Sequence, residues 1–374
     1  MDRSFDAFRQ AVADEDRRRA VLFRDGRPWF VLLSHQFERP DLEALCATAT
    51  SIRRMDRHRD GVDFLRGILA GKRVMNLFAQ PSTRTCESFV AAAEKLGASA
   101  RVVSDLRTSS FAKGESVEDA VRTLSSFYDT LVTRHPDEEF ATRASWALSR
   151  SGRPIPVISA GSGTAEHPTQ ALLDVYTLEY SFLARGGIDG KRILLVGDIG
   201  RNRAARSLAL LLTRFRIDRI DIACHPEHPP DAPFVDALAR HGIALAYHPS
   251  VAEALGAVGK DLDAIYVTRL QQEWDAADAA LGTSDAFVLD PALRDRIRPD
   301  CVILHPLPRV NELPDAWEDH PGFVVWRQVR NGMWMRAAVL AHVHGAAAEI
   351  TARADRLGLL GPPPADGARP RARR

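Results

Sequence analysis

Three stretches of this chain gather hydroxyls, guanidinium groups and imidazoles at spacings that suit anion chemistry. The first is Gln80-Pro81-Ser82-Thr83-Arg84-Thr85, placed between an apolar, strand-like run and an amphipathic helix. Free N–H groups at a helix start, several hydroxyls and a guanidinium make a cradle suited to phosphate. The same residues also read as an ordinary Ser/Thr helix cap beside an exposed arginine, and on their own they leave both readings open. A second strand-like run ends in Thr133-Arg134-His135-Pro136. A third leads through Gly161-Ser162-Gly163-Thr164 to His167-Pro168-Thr169-Gln170. Proline directly after the histidine suits the first position of a helix, so His167 is expected at that helix's N-terminus. There the helix dipole disfavours protonation, and a neutral imidazole can donate to a carbonyl oxygen.

Elements that alternate in type must hold these residues. Strand candidates Arg73–Ala79, Ala100–Asp105, Asp129–Arg134 and Ile155–Ala160 are separated by helical patterns over Cys86–Leu96, Val117–Tyr128, Glu138–Arg150 and Pro168–Phe182. That alternation predicts a parallel sheet with crossover helices. The turn-rich stretch Arg185–Gly190 interrupts it and suits a hinge. A second series follows: strands Arg192–Gly197, Arg219–Cys224, Ile243–Tyr247, Asp263–Thr268 and Cys301–Leu304, with a helix over Arg203–Phe215. The fold expected is α/β, two doubly wound parallel-sheet domains joined by interdomain helices, with ligands at the carboxyl ends of the strands. The divisions read as an N-terminal extension (1–33), a first domain (34–184), a second domain (185–330), a C-terminal helix returning to the first domain (331–357, the pattern running over Gly332–Leu357), and a disordered Pro/Arg-rich tail (358–374). Phe5–Val21 reads as a capping helix with a solvated face.

At 374 residues the chain is long enough for two domains of ordinary size. Its 45% apolar and 26% charged content excludes a disordered chain. A net charge of +1 provides no global field toward nucleic acid or an anionic membrane. The longest apolar runs are strand-sized, far short of a bilayer span, and the N-terminus opens no signal-peptide region, so a cytoplasmic protein is expected. Cys46, Cys86, Cys224 and Cys301 lie far apart and match no metal-ligand spacing. Neither a metal nor another cofactor is expected.

Seven ordered motifs resemble the aspartate/ornithine carbamoyltransferase family: Ser82-Thr83-Arg84-Thr85, Lys113-Gly114-Glu115-Ser116, Arg134-His135-Pro136, His167-Pro168-Thr169-Gln170, Gly197-Asp198 with Arg203, Thr268-Arg269-Leu270-Gln271, and His305-Pro306-Leu307-Pro308-Arg309. The likeness runs from about Leu33 to Gly345. It is greater to the aspartate branch, because His305-Pro306-Leu307-Pro308 stands where ornithine enzymes carry a cysteine motif, and the Lys-Gly-Glu loop and Thr-Arg-x-Gln also belong to that branch.

The resemblance implies transfer of a carbamoyl group from carbamoyl phosphate to L-aspartate, the committed step of pyrimidine biosynthesis, without metal or covalent intermediate. By likeness, Ser82, Thr83, Arg84 and Thr85 hold the phosphate, and Thr85, Arg134 and His167 donate to the carbamoyl oxygen. Gln170 and the carbonyls of Leu307 and Pro308 orient the carbamoyl NH2. Arg203, Arg269 and Gln271 receive the aspartate carboxylates. Ser109 and Lys113 lie on a loop that in the family reaches a neighbouring subunit's site, which implies a homotrimer with shared active sites. A regulatory or dihydroorotase partner is possible.

Three positions depart from the family pattern. Cys86 replaces a usual arginine, removing a charge near the phosphate pocket. Asn202 replaces a common glycine, and asparagine tolerates left-handed backbone. Asn311 stands where an acid is usual. The alternatives are another amine acceptor (ornithine-like) and a weakly active homologue that scaffolds a pathway partner; intact Arg84, Lys113, Arg134 and His167 argue against the latter. A dinucleotide fold is weaker still, since Gly197–Asn202 lacks the G-x-G-x-x-G spacing.

Overall fold

The computed structural model describes residues 4–104, 114–163, 166–225, 229–269 and 285–360. In chain order the N-terminal part holds α1 (Phe5–Ala13), α2 (Glu15–Leu22), the short strands β1 (Phe23–Arg24), β2 (Arg27–Pro28) and β3 (Phe30–Val31), then α3 (Arg39–Met55) and α4 (Arg59–Ile68). Next come β4 (Arg73–Phe78), α5 (Thr83–Lys95), β5 (Ser99–Val103), α6 (Val117–Ser125), β6 (Thr130–His135), α7 (Phe140–Ser149), β7 (Val157–Ser162) and α8 (Pro168–Phe182). The second half comprises β8 (Arg192–Val196), α9 (Arg203–Leu212), β9 (Arg219–Ala223), α10 (Ala232–Arg240), β10 (Ala244–His248), α11 (Val251–Val258), β11 (Ala264–Val267) and β12 (Val302–Leu304). It closes with α12 (Val325–Val343) and α13 (Ala347–Arg356).

Both main sheets have five strands, all paired in parallel. Their central strands are buried throughout apart from their ends, as a sheet covered on both faces requires. The first sheet runs β3-β7-β6-β4-β5 and the second β10-β9-β8-β11-β12. In the first, successive crossovers reverse direction between β4 and β6; in the second, between β8 and β11. Each reversal opens a crevice at the carboxyl ends of the strands. Those four strands feed the segments Gln80–Thr85, Arg134–His135, Gly197–Arg203 and Thr268–Arg269.

One apolar cluster runs through both sheets by way of α8, α9 and α12, joining Val132 and Ile158 to Ile193 and Leu208. A second lies on the far face of the second sheet, around Trp317 and Ile265. A third covers the far face of the first sheet and includes Val12 and Leu22 from the N-terminal helices. The chain crosses between the sheets twice. It leaves the first through α8 and the stretch to Gly190, and it returns through α12, which packs on α3, α5 and α8. The connecting turn is tied at both sides, because Asp189 pairs with Arg39 and Arg216.

Several elements differ from the sequence expectation. The single helix expected over Phe5–Val21 is two, because Asp14 ends α1 in extended backbone and caps α2, accepting from Asp16 N at 3.0 Å and Arg17 N at 3.2 Å. As a capping helix, α1 packs by its apolar side, with Phe5 edge-on to Trp146 at 5.7 Å. The closing helix starts earlier, at Val325, and breaks at His344-Gly345-Ala346, where Gly345 takes a φ of 73° that a side chain would resist. α5 begins at Thr83 rather than Cys86, so the hydroxyl cluster forms its first turn instead of a preceding loop.

Candidate active site

Residues from both sheets and α12 line a single cavity of about 600 Å³. The start of α5 contributes Ser82, Arg84 and Thr85 to its lining. Ser82 occupies the N-cap position but does not cap the helix; its hydroxyl donates to Thr85 Oγ1 at 3.0 Å. The first-turn N–H groups are therefore not closed off by their own cap, and the helix start keeps its capacity for an anion. Arg84 stands exposed at the mouth. Although its side chain reaches solvent, the surrounding protein partly desolvates the guanidinium, which lowers its pKa first, and the charge of Arg269 lowers it further. Two cations, one following β4 and one following β11, thus lie within electrostatic range of each other in the cavity lining.

Deeper in, Arg134 is 9% exposed, and one guanidinium nitrogen donates to Ala160 O at 3.1 Å. Close backbone passage makes room for it: a Cβ on Gly161, whose φ is +114°, would lie 2.9 Å from that nitrogen. Burial, then the charges of Arg203, Arg336 and Arg84, bring Arg134 down to about 9. The guanidinium stays protonated at neutral pH. His167 is 6% exposed, with its backbone N–H on Ser207 Oγ at 3.1 Å. Its pKa lies well below the usual imidazole value, through burial first and then the charges of Arg134, Arg203 and Arg336. Neutrality follows as expected, though burial and cationic neighbours produce it rather than the helix start alone. His167 Nδ1 and Arg134 Nε are buried without a protein hydrogen-bond partner, a state that native interiors rarely leave unused.

From the second sheet, Arg203 opens α9 and reaches back to the first, donating to Gly163 O and, at 3.4 Å, to Gln80 Oε1. Asn202 does not adopt the left-handed backbone considered for it. Its φ is −82°, and its side chain caps α9 by accepting from Ala204 N at 3.1 Å and Ala205 N at 3.2 Å. The loop after β12 enters with a cis Leu307–Pro308 bond and Leu307 at φ 58°. It is braced by His305, which is 1% exposed and bonds Glu312 Oε1 at 2.8 Å. Asn311 is exposed, so the carboxylate of the loop comes from its neighbour Glu312.

Of the residues expected at the site, Ser82, Arg84, Thr85, Arg134, His167, Gln170, Arg203, Arg269, Leu307 and Pro308 meet in this cavity. Thr83 is exposed and outside its lining. Ser109, Lys113 and Gln271 lie outside the described residues. Cys86 does not face the cavity; it is buried in the apolar core, which pushes its thiol pKa up. Arg336, Gln328, Arg201 and Glu87 also line the cavity and were not assigned from the sequence. Arg336 is 3% exposed, and burial lowers it to about 10. The signal was a set of polar side chains, Gln328, Asn331 and Arg336, on the buried face of α12, and Gln328 precedes the helix expected from the sequence. Glu87 is the one carboxylate against six arginines among the described lining residues. No cluster able to hold a metal occurs among the described residues.

Two family models match the chain: aspartate/ornithine carbamoyltransferase, carbamoyl-P binding domain, over residues 31–180, and the Asp/Orn binding domain of the same family over 189–343. The aspartate carbamoyltransferase catalytic subunit of Methanoculleus marisnigri is 34% identical over 316 residues, covering 84% of this chain and 99% of that protein. A multifunctional protein CAD of Squalus acanthias is 39% identical over 283 residues, covering 74% of this chain; the chain spans only 12% of that relative's length. Among solved structures, aspartate transcarbamoylase of Trypanosoma cruzi in complex with N-(phosphonacetyl)-L-aspartic acid aligns with a TM-score of 0.72 at 32% identity, over 86% of this chain and 98% of that one.

Proposed function

The chain belongs to the aspartate/ornithine carbamoyltransferase family, and we propose that it transfers the carbamoyl group of carbamoyl phosphate to the α-amino group of L-aspartate. The products are N-carbamoyl-L-aspartate, a precursor in pyrimidine synthesis, and phosphate. One observation carries the reading: six arginines and one carboxylate line a cavity between the switch points of two parallel sheets. Such a cavity favours a small dianion and a dicarboxylate together and disfavours a cationic acceptor such as ornithine.

In this reading the amine nitrogen attacks the carbamoyl carbon, the carbonyl oxygen becomes an oxyanion, and the carbon–oxygen bond to phosphate then breaks. Thr85, Arg134 and His167 donate to the oxyanion, each such donor being worth about 3 kcal/mol in typical sites. Arg84 and the start of α5, with Ser82, hold the departing phosphate, whose own oxygens accept the amine proton. Gln170 and the carbonyls of Leu307 and Pro308 hold the carbamoyl NH2. Arg203 and Arg269, with Gln271, take the two carboxylates by bidentate pairing.

The same reading divides the chain into a carbamoyl-phosphate domain (34–184) and an aspartate domain (185–330), and places it in the cytoplasm as a homotrimer. Ser109 and Lys113 then complete a neighbouring subunit's site. The length of the multifunctional relatives supports a search for a regulatory or dihydroorotase partner. The deciding experiment gives purified protein carbamoyl phosphate with aspartate or ornithine, alongside a molar-mass measurement. Carbamoyl-aspartate from a trimer is expected; carbamoylation of ornithine in preference would overturn the substrate.

A further inference from the structure

Asp174 lies on α8, one turn beyond Gln170, and is fully buried. Three side chains from three elements converge on its carboxyl group. Gln170 Nε2 donates to Oδ1 at 3.0 Å, Gln328 Nε2 of α12 donates to Oδ1 at 2.7 Å, and the Tyr266 hydroxyl of β11 donates to Oδ2 at 2.7 Å. Gln328 is held in turn, its Oε1 accepting His305 N at 3.0 Å.

These partners decide an orientation that matters for chemistry. A carboxyl Oδ1 receiving two amides accepts only, so the Gln170 nitrogen must face inward to Asp174. That leaves the Gln170 oxygen as the group it presents to the cavity, the polarity needed to accept from a carbamoyl NH2. Turned the other way, the amide would set donor against donor. We propose that Asp174 is a positioning residue for carbamoyl phosphate, holding the Gln170 amide with its oxygen toward the substrate and tying that orientation to β11 of the second sheet through Tyr266. The proposal rests on the carbamoyl-transfer reading above and names a residue that does not itself touch substrate.

Burial pushes the Asp174 carboxyl up to about 7, against the hydrogen bonds and the Arg336 charge that favour its ionised form. The orientation survives in either state. On protonation at Oδ2 the Tyr266 contact reverses, the carboxyl O–H donating to the Tyr266 oxygen, while Oδ1 still accepts both amides.

Two variants separate acceptor from bulk. Asp174→Asn keeps an acceptor at Oδ1 and is expected to leave the carbamoyl phosphate KM within about threefold of wild type. Asp174→Leu has similar bulk and no acceptor. It is expected to raise that KM by about tenfold or more, with the aspartate KM changed less than about threefold. In a Gln170→Ala background, Asp174→Leu is expected to raise the KM no further. An unchanged KM in folded Asp174→Leu, an equal rise for both substrates, an Asp174→Asn as impaired as Asp174→Leu, or additive effects with Gln170→Ala would each overturn the proposal. If Asp174→Leu does not fold, Asp174→Ala is compared in the same way. Wild-type turnover, assayed alongside, tests the carbamoyl-transfer reading separately. Calorimetric titration with carbamoyl phosphate gives the same comparison of variants without turnover.

Discussion

The backbone N–H of Leu307 donates to Nδ1 of His305 at 2.8 Å, and that bond settles which ring nitrogen carries the proton. Nδ1 is an acceptor, so Nε2 bears the hydrogen and donates to Glu312 Oε1. The buried pair thereby holds the backbone at Leu307 and Pro308, where carbonyl oxygens can turn toward the cavity. His305→Leu is expected to lower kcat/KM for carbamoyl phosphate by roughly 10- to 100-fold through lost orientation. Steady-state kinetics check it, and an unchanged value would detach the loop from substrate.

Arg84 is exposed, so its removal should separate chemistry from stability. Arg84→Ala is expected to cut kcat by about 100-fold or more, with the thermal midpoint unmoved. Turnover and calorimetry on one preparation test both halves.

The pKa of His167 is held below the usual imidazole range, so its ring stays neutral through the ordinary assay range. The wild-type kcat profile should therefore show no inflection near 6.5 that His167→Ala abolishes. His167→Ala should instead lower kcat by a similar factor at every pH from about 6 to 9. A variant whose deficit vanished at one end of that range would contradict a purely donating role.

His344, at the end of α12, bonds Thr130 Oγ1 at 2.7 Å, and burial with the charge of Lys72 lowers it from 6.5 to about 4. Between those values the unfolded chain binds a proton that the folded chain does not. The stabilisation is therefore complete above about pH 6.5 and is lost as pH falls toward 4. It amounts to roughly 3 kcal/mol. His344→Gln should flatten the decline in unfolding free energy over that window by about this much, as measured by denaturant titration at several pH values.

Much of this arrangement was legible in the sequence because parallel strands and their crossover helices leave strong periodic signals. α8 begins at Pro168 and ends at Phe182 as its pattern predicts. The cradle at Ser82–Thr85 and the loop at His305–Pro308 were visible as local motifs. Arg336 and Asp174 were not, because each sits inside a helix whose register is set by apolar neighbours, and their partners lie far away in the chain. Gln170 and Gln328 are 158 positions apart, yet they meet at Asp174 only because α8 and α12 pack together. Asn202 was misread for a related reason: its side chain caps a helix, a use that the residue type allows but that a comparison with glycine hides.

The two passages of the chain between the sheets limit how the cavity can change shape. Bodies joined by a single tether can twist, slide or separate, whereas a pair of tethers leaves chiefly a swing about the line that joins them. One tether here is the stretch after α8; the other is the entry to α12. The second stands beside the cavity through Gln328 and Val329, whereas the first lies at the far end of α8 from Gln170, so a swing about the line between them moves the two cavity walls relative to each other. The wall bearing Arg203 and Arg269 would then sweep toward Arg84 and Arg134 along one arc.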